Sequence, residues 1–145
     1  MNNAAFFVAG NNNYIEGADT ALGIDGLHVT NHGGRQIEAL PASIDALPAI
    51  AAQVGGKAII VVDSGVRSGV DVARGIACGA DAAFAGKAFL WSLGALGEQG
   101  PGHLINLFQE ELGATLGQLG CAAVEDLRSV TVRHRNAYRL EDFQA

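Results

Sequence analysis

The run Thr30-Asn31-His32-Gly33-Gly34-Arg35-Gln36 follows directly on the apolar stretch Gly26-Leu27-His28-Val29. A histidine and an arginine thus stand three residues apart on a glycine-loosened loop after a strand-like segment. Imidazole is the side chain best suited to accept a proton near neutral pH, and a guanidinium grips a carboxylate through two parallel charge-assisted hydrogen bonds. A proton acceptor beside a carboxylate clamp points to a small acid with a removable proton as substrate.

Two more loops have chemistry-bearing composition: Asp63-Ser64-Gly65-Val66-Arg67-Ser68-Gly69 and Ala85-Gly86-Lys87-Ala88. Glycines let backbone N–H groups approach an anion, a following helix start adds a favourable dipole, and Arg67 and Lys87 bring positive charge. Together the two loops are expected to hold a phosphate monoester.

Strands must present these loops. Three short apolar runs, Gly26 to Thr30, Ala58 to Val62 and Ala82 to Ala85, each end in a glycine-containing loop. Between them the spacing is helical. Pro48 predicts a helix start near itself, because proline is tolerated in a first turn; Leu47, Ile50, Ala51 and Val54 share one face, and Gly55-Gly56 ends the helix. Ser68 followed by Asp71 has capping-box spacing, with Val72, Ile76 and Ala77 facing inward and Gly79 as the stop. A longer helix is predicted over about Gly102 to Leu119, with Leu104, Leu107, Phe108, Leu112, Leu116 and Leu119 as its apolar stripe. Apolar strands alternating with helices indicate an α/β fold with a parallel sheet, expected to be covered on both faces. A barrel of this kind carries its chemistry on the loops after the strands, often with a phosphate site after its last two. An open doubly wound sheet is the alternative, but its usual GxGxxG fingerprint is absent.

Composition narrows the partners. The chain has 145 residues, 49% of them hydrophobic, which suits one core. Nine basic against 15 acidic residues give a net charge of -6, leaving no electrostatic footprint for nucleic acid or an anionic membrane. Cys78 and Cys121 form no CxxC pair, and the scattered histidines give no metal-ligand spacing, so reduced thiols in a cytoplasmic protein are expected. The apolar patch Ala4 to Ala9 lacks a positive flank, and no run approaches the roughly 18 apolar residues of a membrane span. Phe89 and Trp91 are expected in the core, His103 and His134 at the surface, and Cys121 as a packed thiol.

The sequence resembles the C-terminal part of the flavin mononucleotide (FMN)-dependent 2-hydroxy acid dehydrogenase and oxidase family, which includes flavin-type lactate dehydrogenases, lactate oxidase and glycolate oxidase. The resemblance is carried by Gly23-Ile24-Asp25-Gly26 leading into Thr30 to Gln36, by Pro41 to Pro48, by Asp63 to Gly69 with Asp71-Val72, and by Gly86 to Trp91. It implies that the strands are about the sixth to eighth of a TIM (β/α)8 barrel. It divides the chain into 1–22 without a clear match, 23–127 as barrel, and a 128–145 tail. His32 matches the catalytic base and Arg35 the substrate-carboxylate ligand. Thr30, Asp63, Ser64, Gly65, Val66, Arg67, Gly86 and Lys87 match cofactor-binding positions. The implied reaction oxidises a small L-2-hydroxy acid of the lactate, glycolate or mandelate type: His32 takes a proton and the equivalent of a hydride passes to the flavin.

Some positions depart from the family pattern. Thr30 replaces serine and keeps the hydroxyl, whereas Lys87 replaces arginine and loses the planar fork. His28 replaces an aliphatic residue, faces the same way as Thr30, and needs a hydrogen-bond partner. About 22 residues precede the match, so five βα units are expected to be missing, and with them a lysine near the flavin, the pocket tyrosines and the acid that orients the base. The alternative is therefore a catalytically inactive partial barrel that binds a phosphorylated ligand, or pairs with another copy through its open sheet edges.

Overall fold

The computed structural model describes residues 7–10, 24–35, 39 and 41–133. Its elements are β1 (Phe7–Gly10), β2 (Gly26–Val29), α1 (Ser43–Val54), β3 (Ile59–Val62), α2 (Gly69–Ala77), β4 (Ala82–Ala83), α3 (Lys87–Leu96) and α4 (Gly100–Leu119). Gln36 and His134, singled out in the sequence, lie outside the described residues.

The four strands form one parallel sheet in the order β1-β2-β3-β4. Three strands were expected; β1 is the addition, and its only local signal is the apolar patch near the N-terminus. Strand alternation sends Leu27, Val29, Ile60 and Val62 to one face, where they pack with Leu47, Ile50 and Val54 of α1 and with Ala80. Helix α2 stands on that same face: a Cβ at Gly75 would lie only 2.9 Å from Val62 Cγ1, so glycine permits the close approach. Strands in sequential order joined by right-handed crossovers place successive helices on one side. The expectation of helices on both faces is thus corrected for α1 and α2. The opposite face carries His28, Thr30, Val61 and Asp63, at the strand ends where the loops begin.

Helix α1 begins at Ser43, five residues before the expected start, with Pro48 inside it. Proline there forfeits the bond to the Ile44 carbonyl. The buried stripe Ser43, Leu47, Ile50 and Val54, at helical spacing against the sheet, outweighs that loss. Gly55, at φ 56°, closes the helix as expected. Helix α2 is capped by Ser68, whose side chain accepts from the Asp71 N–H, and Ala73 and Ile76 are its buried apolar residues. These two join Leu127 in a second apolar cluster, to which α4 contributes Leu112 and Leu116, with Cys121 against it.

Helix α4 starts at Gly100, with Pro101 in its first turn, and runs to Leu119 despite Gly113 and Gly117. Its apolar stripe is only partly covered, since Leu107 is 38% and Leu119 47% exposed. Helix α3 packs on α4 but leaves Trp91 55% exposed, correcting its placement in the core. No helix among the described residues is long and apolar enough to cross a membrane.

Candidate active site

The turn after β2 is built from left-handed residues. His32, Gly33 and Gly34 have φ of 54°, 68° and 74°, and across the cleft mouth Ser64 and Gly65 have 71° and 98°. Glycine adopts such angles without penalty, whereas each of His32 and Ser64 gives up about 1–2 kcal/mol. Local hydrogen bonds offset this. Asn31 accepts from the Gly34 N–H through its backbone oxygen at 3.0 Å and its Oδ1 at 3.2 Å, and its Nδ2 donates to the Pro41 carbonyl at 3.4 Å.

The hydroxyl of Ser64 ties the β2 and β3 loops together. It donates to Asp63 Oδ1 at 2.7 Å and accepts from the N–H groups of Gly33 at 3.0 Å and Asn31 at 3.3 Å. Thr30, 1% exposed, lies beneath with Oγ1 3.3 Å from Ser64 Oγ, and it accepts from the His32 N–H at 3.0 Å. Lys87, first residue of α3, donates from Nζ to the Gly33 carbonyl at 3.1 Å and so links the third loop to the first.

These loops enclose one open cleft of about 900 Å³, and nine of the ten candidate residues line it. They are His32, Arg35, Asp63, Ser64, Gly65, Val66, Arg67, Gly86 and Lys87. Thr30 is the exception: it supports the loops from below instead of facing the cleft. His32 and Arg35 are both solvent-exposed at the cleft wall. Among the described residues no carboxylate pairs with His32; Asp63 engages Ser64 and His28.

The two phosphate loops differ in what their helices offer. Carboxylates of this chain already stand at the start of α2: Gly69 N–H donates to Glu111 Oε2 of α4 at 2.7 Å, and Asp71 Oδ2 accepts from Arg67 N–H at 3.1 Å and from the Ser68 hydroxyl at 3.0 Å. The expected dipole contribution of α2 is therefore spent on carboxylates of this chain. Helix α3 has no side-chain cap at Gly86, so its first N–H groups, at the cleft, remain open to an anion. A Cβ on Gly65 or Gly86 would meet nothing within 4 Å, which leaves the backbone there accessible. Arg67 lies 5.3 Å from the centroid of the Trp91 ring, a cation–π contact that holds its guanidinium.

Sequence reasoning missed Asn31, Phe84 and Leu90 as lining residues, and Trp91 as the platform under Arg67. Asn31 carried a usable signal, since asparagine ahead of a left-handed turn commonly bonds the backbone of residues just beyond it. Trp91 had none, because its partner lies 24 residues away in sequence.

The family model for FMN-dependent dehydrogenases matches residues 18–134. The chain is 42% identical over 118 residues to the L-lactate dehydrogenase of Bartonella tribocorum, covering 81% of this chain and 31% of that protein. It is 39% identical over 117 residues to the L-lactate oxidase of Nostoc sp., covering 78% of this chain and 32% of the oxidase. Among solved structures, mandelate oxidase with (S)-2-phenylpropionate superposes with a TM-score of 0.80 at 34% identity, over 88% of this chain and 38% of that one. A mandelate oxidase variant with a monooxide FMN adduct gives 0.79 at 34% identity, over 88% of this chain and 41% of that one. The chain thus spans about a third of the length of these curated relatives.

Proposed function

Because this chain belongs to the FMN-dependent dehydrogenase family, we propose that its cleft holds FMN and a small L-2-hydroxy acid, and serves oxidation of the acid to the 2-oxo acid. The observation that carries this reading is the convergence of the His32/Arg35 turn with the Arg67 and Lys87 loops on a single cleft. The residues present suit the cofactor. Arg67, Lys87, the accessible backbone at Gly65 and Gly86 and the uncapped start of α3 would hold its phosphate, and Asp63 and Ser64 its ribityl hydroxyls. Bound there, FMN would supply the two-electron acceptor. Arg35 holds the substrate carboxylate, His32 takes the proton the substrate loses, and Thr30 fixes the His32 backbone from below. The sequential strand order with α1 and α2 on one face supports an arc of a (β/α)8 barrel over a doubly wound sheet, in which the order reverses. With Cys78 and Cys121 as free thiols, we assign the protein to the cytoplasm.

The test is titration of the full 145-residue protein with FMN, followed by addition of L-lactate, glycolate or mandelate. Saturable quenching of flavin fluorescence is expected, then bleaching of the oxidised-flavin band by at least one acid. His32→Ala is expected to keep flavin binding and to lower the bleaching rate about 10²–10⁴-fold; equal rates in the two proteins would refute the assigned base.

A second reading is favoured by the solvent exposure of both His32 and Arg35 at the cleft wall. In it the cleft binds a phosphorylated ligand without turnover. Flavin that binds, is displaced by inorganic phosphate and is bleached by none of the acids would select it.

A further inference from the structure

His28 is the one polar side chain within the apolar strand β2, and strand alternation sets it on the face away from α1, beside Asp63. Its Nε2 is buried, lies 3.0 Å from Asp63 Oδ2 and is not aligned for a hydrogen bond. The ring meets Phe84 edge-on, with centroids 5.5 Å apart. A proton on Nε2 makes a contact this close to a carboxylate oxygen attractive, and that is the state in which His28 would hold Asp63. An aliphatic side chain would serve the strand without bringing a buried polar atom into it.

We infer that His28 is a positioning residue for the turn that carries His32, acting through Asp63 and Ser64. The bonds of the Ser64 hydroxyl have a defined direction. Asp63 can only accept, so the Ser64 proton is committed to Oδ1, at 2.7 Å. Ser64 Oγ must then act as an acceptor, and the Gly33 and Asn31 N–H groups at 3.0 and 3.3 Å take up its two lone pairs beside the 3.3 Å contact with Thr30 Oγ1. Thr30 Oγ1 is left free to accept from the His32 N–H at 3.0 Å. The two Ser64 bonds that hold the turn thus depend on the Asp63 carboxylate keeping one orientation, and His28 Nε2 lies 3.0 Å from its second oxygen. The turn needs this support because His32 and Ser64 both occupy left-handed backbone. The catalytic consequence rests on the reading of His32 as base, whereas the structural link does not.

The test uses the full-length ¹⁵N-labelled protein without FMN or acid, so its outcome is separable from that of the turnover experiment. First, in the wild type, long-range ¹H–¹⁵N spectra are expected to show His28 Nε2 protonated at neutral pH; an unprotonated Nε2 overturns the inference and requires no variant. Second, His28→Phe keeps a ring against Phe84 but removes the nitrogen. Amide exchange at His32 and Gly33 is then expected to quicken about tenfold, with the β3 amides unchanged. Asp63→Asn should produce the same change, and the double variant no more than either, as a serial link demands. If ring packing were the whole role of His28, His28→Phe would exchange within about twofold of wild type at these amides, and that result overturns the proposal.

Discussion

His32 and Arg35 reach one cleft from the two ends of a left-handed turn, and the side-chain chemistry at each end differs in what it tolerates. A guanidinium offers a planar fork to a carboxylate where an ammonium offers a point charge. Arg35→Lys is therefore expected to raise the KM for the acid about tenfold while leaving FMN affinity unchanged, as steady-state kinetics beside a flavin titration would show. Cys78, packed against the sheet core, is a second residue with a measurable signature. Burial pushes its thiol pKa above the ordinary value, and the negative charge of Asp45 adds to the shift. A folded pKa above the unfolded one means that the folded protein holds the proton more tightly. That stabilisation is complete below the unfolded thiol value of 9.0 and is lost as pH rises through the folded one. Denaturant midpoints are expected to fall more steeply above pH 9 in the wild type than in Cys78→Ala.

Among the elements, α2 carries the most checkable junction. Its Ser68 cap is local and ordinary, so Ser68→Ala should cost about 1 kcal/mol. Gly69 differs, because a Cβ there would collide with the α4 backbone at Phe108 and Leu112. Its φ is not in the left-handed region, so the demand for glycine comes from close approach alone. Gly69→Ala is expected to destabilise by about 1–3 kcal/mol or more and to separate α2 from α4, also loosening the Glu111 bond. Urea unfolding of the two variants side by side gives the comparison; a smaller effect for Gly69→Ala than for Ser68→Ala would contradict the close contact. Pro48 shows the converse case, in which a helix keeps an unfavourable residue because its buried stripe outweighs one missing hydrogen bond.

Among the described residues, the sheet has β1 and β4 at its edges, and α3 and α4 expose a run of large apolar residues that includes Leu93 and Leu96, each about half exposed. Unpaired edges and apolar patches of this kind favour association. The 145-residue chain is expected to show a mass that rises with concentration in light scattering, and Leu93→Glu with Leu96→Glu to return it to a single copy. A compact monomer at all concentrations would argue against this behaviour. The pair lies outside the cleft lining, so ligand binding serves as an independent check that the variant is folded.

The sequence by itself determined that the three glycine-containing loops carry the cleft's charged residues, where α2 is capped, where glycine ends α1 and three of the four strands. These features are encoded within a few residues of one another: a strand followed by a glycine turn, a serine three positions ahead of an aspartate, an apolar stripe at helical period. Only the tertiary structure decided that β1 joins the sheet, that Glu111 occupies the start of α2, that Trp91 leaves the core to lie under Arg67, and that Asp63 lies against His28. Each of those depends on a partner far away in the chain. Such pairings follow from strand register and from how helices cross the sheet, and local periodicity carries no information about either.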